Sequence, residues 1–169
     1  MNETWNFEQN HNVASAVATG KPVNLAGDGR CDSPGHSAKY CTYSMQNMAT
    51  GKIMTLNITQ VTQAGSSNNM EKLGCVNALG DIESKGLQIA QFTTDRHVQI
   101  RKYMREQRPD IKLQFDIWHV VKGAIKKRLS VVAKKAACRE LNKWIRSICN
   151  HFWWSSQTCD GDKLVLMEK

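Results

Sequence analysis

Apolar and polar positions change period several times along the chain. Over residues 3–19, Trp5, Gln9, Val13 and Val17 recur on one side, which predicts a short helix ended by Lys21-Pro22. Val23 to Asp28 is a short apolar run closed by an acid and glycines, read as a strand and turn. Turn chemistry fills 31–37. Tyr40 to Met45 and Lys52 to Gln63 are rich in Tyr, Thr and β-branched residues, and predict two further strands joined near Met48–Gly51. A helix capped by Ser67 or Asn69 is expected over Met70 to Ser84. Leu87 to Thr93 reads as a buried strand with Asp95 at its exit. Arg96 to Gln107 follows as a helix stopped by Pro109, and Ile111 to Ile117 as the last strand. From His119 to His151 the apolar positions Val121, Ile125, Leu129, Val132, Ala136, Leu141, Ile145 and Ile148 predict one long basic amphipathic helix.

A three-strand meander followed by strand–helix alternation implies an α/β fold, a mixed sheet with helices on its faces. The 169 residues suit one domain or one domain with part of another. No run of 18 apolar residues occurs, so no membrane span is expected, and the first twenty residues lack the basic-then-apolar order of a secretion signal. Six cysteines are thinly spread, none at Cys-x-x-Cys spacing, and are read as reduced, mostly buried thiols.

Charge divides the chain. Residues 1–94 carry six basic and seven acidic side chains, whereas 95–169 carry seventeen basic and eight acidic. A basic half matches a polyanion, and DNA is the simplest such partner. Lys122, Lys126, Lys127, Arg128, Lys134 and Lys135 are its densest part and the candidate contacts to a phosphate backbone. The plainer alternative is a solvated helix surface. Trp118, Trp144, Trp153 and Trp154 could stack on bases, although core packing is the commoner use.

Two acids stand where strands are expected to end. Carboxylates at Asp28 and Asp95 on neighbouring central strands would face each other and bind Mg²⁺ or Mn²⁺ through hard oxygens. A two-metal site of that kind serves phosphodiester chemistry. Each Asp alone is more often a turn former or helix cap, and it is the two together, at matching positions, that point to a metal site. Asp32, His36, Asp116 and His119 are auxiliary candidates: Asp32 reads more as a turn residue, and a lone histidine is more often a structural hydrogen-bonding group.

The stretch from Gly27 to Tyr40, with its Asp28-Gly pair and Gly35-His-Ser turn, resembles the first catalytic block of DDE-type DNA transposases of the Mutator, Kolobok and ISL3 kinds and the animal proteins derived from them. Gln91-Phe-Thr-Thr-Asp95 resembles their second-aspartate block. Asp116-Ile-Trp-His119, with Lys122 just after it, resembles the block that follows the fifth strand. The resemblance covers roughly residues 20–125. It implies an RNase H-like core, Asp28 and Asp95 as catalytic metal ligands, cleavage and joining of DNA strands, and action in the nucleus.

The family also needs a third acid, usually Glu, on a later helix. Past Asp116 only Glu140, Asp160, Asp162 and Glu168 are acidic, and none sits in a recognisable motif. Residues 1–20 are therefore expected as a lead-in, 21–118 as the core, and 119–169 as the start of an inserted helical domain, with the third carboxylate missing and little or no activity. The alternatives are a domesticated, non-catalytic DNA-binding or protein-interaction module, and an RNase H-like nuclease whose site Glu140 completes.

Overall fold

The computed structural model describes residues 2–169, leaving aside the side chains of Asn2 and Ala124. The chain divides into two compact units, one running to Gln114 and the other starting at Phe115.

The first unit begins with helix α1 (Asn2–Ala18), then strands β1 (Val23–Cys31), β2 (Tyr40–Asn47) and β3 (Ile53–Gln60). The short helix α2 (Val61–Ala64) leads into the long helix α3 (Ser67–Ser84). Strand β4 (Ile89–Thr94), helix α4 (Val98–Gln107) and strand β5 (Lys112–Phe115) complete the order. The sheet is mixed, with strand order β3-β2-β1-β4-β5. β1 pairs antiparallel with β2 and parallel with β4, so the α/β class and the meander hold.

Alternation decides which face is covered. Leu25, Tyr43, Met45, Met54 and Phe92 point to one side and are buried with Cys75, Ala78, Leu79 and Ile82 of α3. Ile100 and Met104 of α4, and Val13 and Ala16 of α1, join the same core. Asn24, Asp28 and Arg30 alternate to the other side of β1 and are exposed. Close approach of α3 depends on Gly74, where a Cβ would stand 2.9 Å from Cβ of Tyr43.

Two expectations are corrected here. β1 does not stop at Asp28: it runs on to Cys31, because β2 continues to pair with it as far as Cys31↔Cys41. The strand expected over 52–63 ends at Gln60, where the side chain of Gln63 caps the backbone and starts α2.

The second unit is helical. α5 (Ile117–His119) passes into a π-helical stretch, Val120–Lys126, and then α6 (Lys127–Val132). After a 3₁₀ turn at Ala136–Cys138 come α7 (Leu141–Thr158) and α8 (Lys163–Glu168). The single helix expected over 119–151 is thus broken at 133–140. A straight helix would leave its apolar stripe in water. Folding back packs Val121, Ile125 and Leu129 against Ile145, Cys149 and Phe152. All six cysteines are unpaired, and four are buried. No helix among the described residues is long and apolar enough to cross a membrane.

Candidate functional site: an acidic centre at the end of β1 and β4

The parallel pairing of β1 and β4 carries Ala26 against Thr93. Two residues further along each strand are Asp28 and Asp95. The paired register ends there: Asp28 still lies within β1, whereas Asp95 stands just past the end of β4. Asp28 is exposed, and its Oδ1 accepts a bond of 2.9 Å from the backbone N–H of Gly29. Oδ1 of Asp95 accepts from the N–H of His97 at 2.9 Å, which sets up the entry to α4. Asp95 thus has a turn role in addition to any chemical one.

A third carboxyl joins them that the sequence reading passed over. Glu71, in the first turns of α3, lies over Gly29: a Cβ there would be 2.5 Å from Cγ of Glu71 and 2.9 Å from Cδ. Only a glycine lets that side chain cross the strand next to Asp28. Burial pushes the Glu71 carboxyl up to about 7, and the charges of Asp95 and then Asp28 push it the same way.

His97 closes the group on the α4 side. Its Nε2 is 3.9 Å from Oε2 of Glu71, and its Nδ1 is buried without a hydrogen-bond partner. Burial lowers the His97 pKa against the pull of Asp95. Burial therefore drives both members of this contact toward their uncharged forms, and at 3.9 Å they do not make a strong ion pair. Behind Glu71, the buried Tyr43 hydroxyl and Thr94 Oγ1 share a bond of 3.1 Å that ties β2 to β4.

Asp28, Glu71 and Asp95 offer hard oxygen donors of the kind that Mg²⁺ or Mn²⁺ takes. Among the described residues no three acidic, histidine or cysteine groups stand in a metal-ligating arrangement.

The other candidates have separate places. Asp32 accepts from the N–H of Lys39 at 3.0 Å and closes the β1–β2 loop, a structural use. His36 is exposed in the 3₁₀ turn Gly35–Ser37. In the second unit, Asp116 caps α5 by accepting from the N–H of Trp118 at 2.6 Å, and His119 meets Trp118 edge-on. Glu140 is exposed and bonded to Lys143 at 2.8 Å. Lys122 and Lys126 line a cleft that also holds Arg146, whereas Lys127, Arg128, Lys134 and Lys135 are exposed outside it.

No known protein family and no curated protein matches this chain.

Glu71 gave no signal in one dimension. An acid in the first turns of a helix is ordinarily explained by the helix dipole. Its meaning comes from packing across Gly29.

Proposed function

We propose that this chain carries out metal-dependent phosphodiester chemistry on nucleic acid, at a centre formed by Asp28, Glu71 and Asp95. The observation that carries the reading is the Glu71 carboxyl lying over Gly29, the residue next to Asp28 in β1. The order of acids along the chain, Asp then Glu then Asp, departs from the transposase order, in which Glu comes last. Of the sequence-derived alternatives, this favours an RNase H-like nuclease, with Glu71 rather than Glu140 as the completing acid. The kinship with DDE transposases and the nuclear site of action implied by the resemblance belong to the same proposal.

Asp28, Glu71 and Asp95 would hold Mg²⁺ or Mn²⁺, which when bound acidifies water and neutralises charge on a leaving oxygen. The chain's own groups have definable parts. Asp28 and Asp95 supply carboxyl oxygens. Glu71, with its pKa near 7, can hold or release a proton at its carboxyl in the working range. His97 sits neutral beside it.

The test is nicking of supercoiled DNA and of an RNA–DNA hybrid in Mn²⁺, with Mn²⁺ binding followed by calorimetry. Asp28→Asn, Glu71→Gln and Asp95→Asn should each lower cleavage at least about a hundredfold, as expected for members of one catalytic unit. Cleavage that survives Glu71→Gln would remove Glu71 from the centre. Absence of both cleavage and Mn²⁺ binding in the wild type would leave the non-catalytic binding module as the better account.

A further inference from the structure

The second unit contains a cleft of about 540 Å³ between the helical stretch 117–132 and α7. Its floor is apolar, made by the buried Val121, Ile145 and Cys149. Its walls carry Lys122, Lys126 and Arg146, and no acidic residue lines it. None of these three cations is paired with a carboxylate among the described residues. Unpaired cations around a concave apolar floor match a ligand with both negative charge and flat apolar surface.

Trp118 stands at the edge of the cleft, 48% exposed, with the Lys122 ammonium 4.3 Å from the ring centroid. An exposed ammonium gains less from a ring than from a phosphate. A phosphate entering the cleft would therefore draw Lys122 off and uncover the indole face. The lysine is held beside its ligand's position, and the ring beneath it is a ready stacking surface. The backbone here is π-helical at Val120–Lys126, an uncommon form that concentrates at functional positions.

We infer that this cleft binds an unpaired stretch of nucleic acid, with phosphates on Lys122, Lys126 and Arg146 and a base stacked on Trp118. A duplex offers the same phosphates, but its bases are already stacked on each other and leave none free to stack on Trp118. Charge on an open helix face would bind both forms alike, so preference for the single strand is the distinguishing property. The inference does not depend on the carboxyl residues of the first unit, none of which lines this cleft.

The experiment is fluorescence anisotropy of the full-length chain carrying Asp28→Asn, to suppress cleavage. The probes are labelled oligo-dT, labelled oligo-U and a mixed-sequence duplex of equal length, across a salt series. The single strands should bind at least about tenfold more tightly than the duplex, with quenching of tryptophan emission. Trp118→Ala should weaken single-strand binding about tenfold while leaving duplex binding nearly unchanged. Trp118→Phe should restore most of the loss. Arg146→Gln should reduce the salt dependence by about one phosphate contact. Tighter binding of oligo-U or of oligo-dT would assign the strand as RNA or DNA. Duplex binding equal to single-strand binding, heparin competing as well as oligo-dT, or indifference to both Trp118→Ala and Arg146→Gln would each overturn the inference. Circular dichroism of each variant separates loss of binding from loss of fold. Should Trp118→Ala unfold, the Trp118→Phe and Arg146→Gln results decide.

Discussion

Glu71 is where local chemistry has the clearest consequence. A carboxyl whose pKa is higher in the folded chain than in the unfolded chain holds its proton more tightly when folded. Its ordinary value is 4.5, and in the fold it is about 7. Glu71 therefore favours the folded state fully below pH 4.5, and that contribution is lost as pH rises through 7. The cost by pH 8 is on the order of 1–3 kcal/mol. Glu71→Gln, which stays neutral, should be more stable than wild type at pH 8 by about that amount, with little difference near pH 4. Urea unfolding at the two pH values measures it, and parallel pH profiles for the two proteins would contradict the assignment. Mn²⁺ should raise the wild-type Tm at pH 8 and leave the Glu71→Gln variant nearly unchanged. Gly29 tests the same geometry from the other side. Gly29→Ala should displace the Glu71 side chain, cost about 1–3 kcal/mol by overpacking, and abolish the Mn²⁺ response. A calorimetric titration showing wild-type affinity in that variant would mean the carboxyl does not need its path over the strand.

Among the elements, the expected long basic helix shows what periodicity can and cannot tell. The apolar positions Val121, Ile125, Leu129, Leu141 and Ile145 were all read as one face, and they do share one core. What the pattern lacked was the break, since no Gly or Pro stands between Val132 and Leu141 to announce it. The stripe needed a partner, and the chain supplied its own by turning back. Ile145 is central to that packing and 8% exposed. Ile145→Ala should cost the second unit about 2–5 kcal/mol, visible as an earlier loss of helical circular dichroism. An unchanged transition would mean that α7 is not held by this contact. β1 carries a similar lesson. Its apolar run ends before Asp28, yet the strand continues because β2 offers hydrogen-bond partners through Cys31. Alternation reports burial, and a ladder can outlast it.

For the molecule as a whole, the two units have separate cores. One buried cluster runs from Val13 to Leu113, and another from Ile117 to Trp153. A chain ended at Gln114 should therefore unfold cooperatively, with coincident near-UV and far-UV transitions. A molten product, with far-UV signal but no near-UV signal, would show that the first core is incomplete alone. By itself the sequence determined the α/β class, the meander and the helix–strand alternation. Those follow from period, turn chemistry and element order, which are local. The basic half and its lysines were equally legible, because charge is additive along a chain. Only the tertiary structure decided that Glu71 lies over Gly29, that His97 stands beside it, that the basic segment folds back, and that Trp118 and Arg146 share a cleft. Each of these is a contact between residues distant in sequence, made by a glycine's missing side chain or a helix's need to cover its apolar face. Neither cause leaves a periodic trace in the sequence.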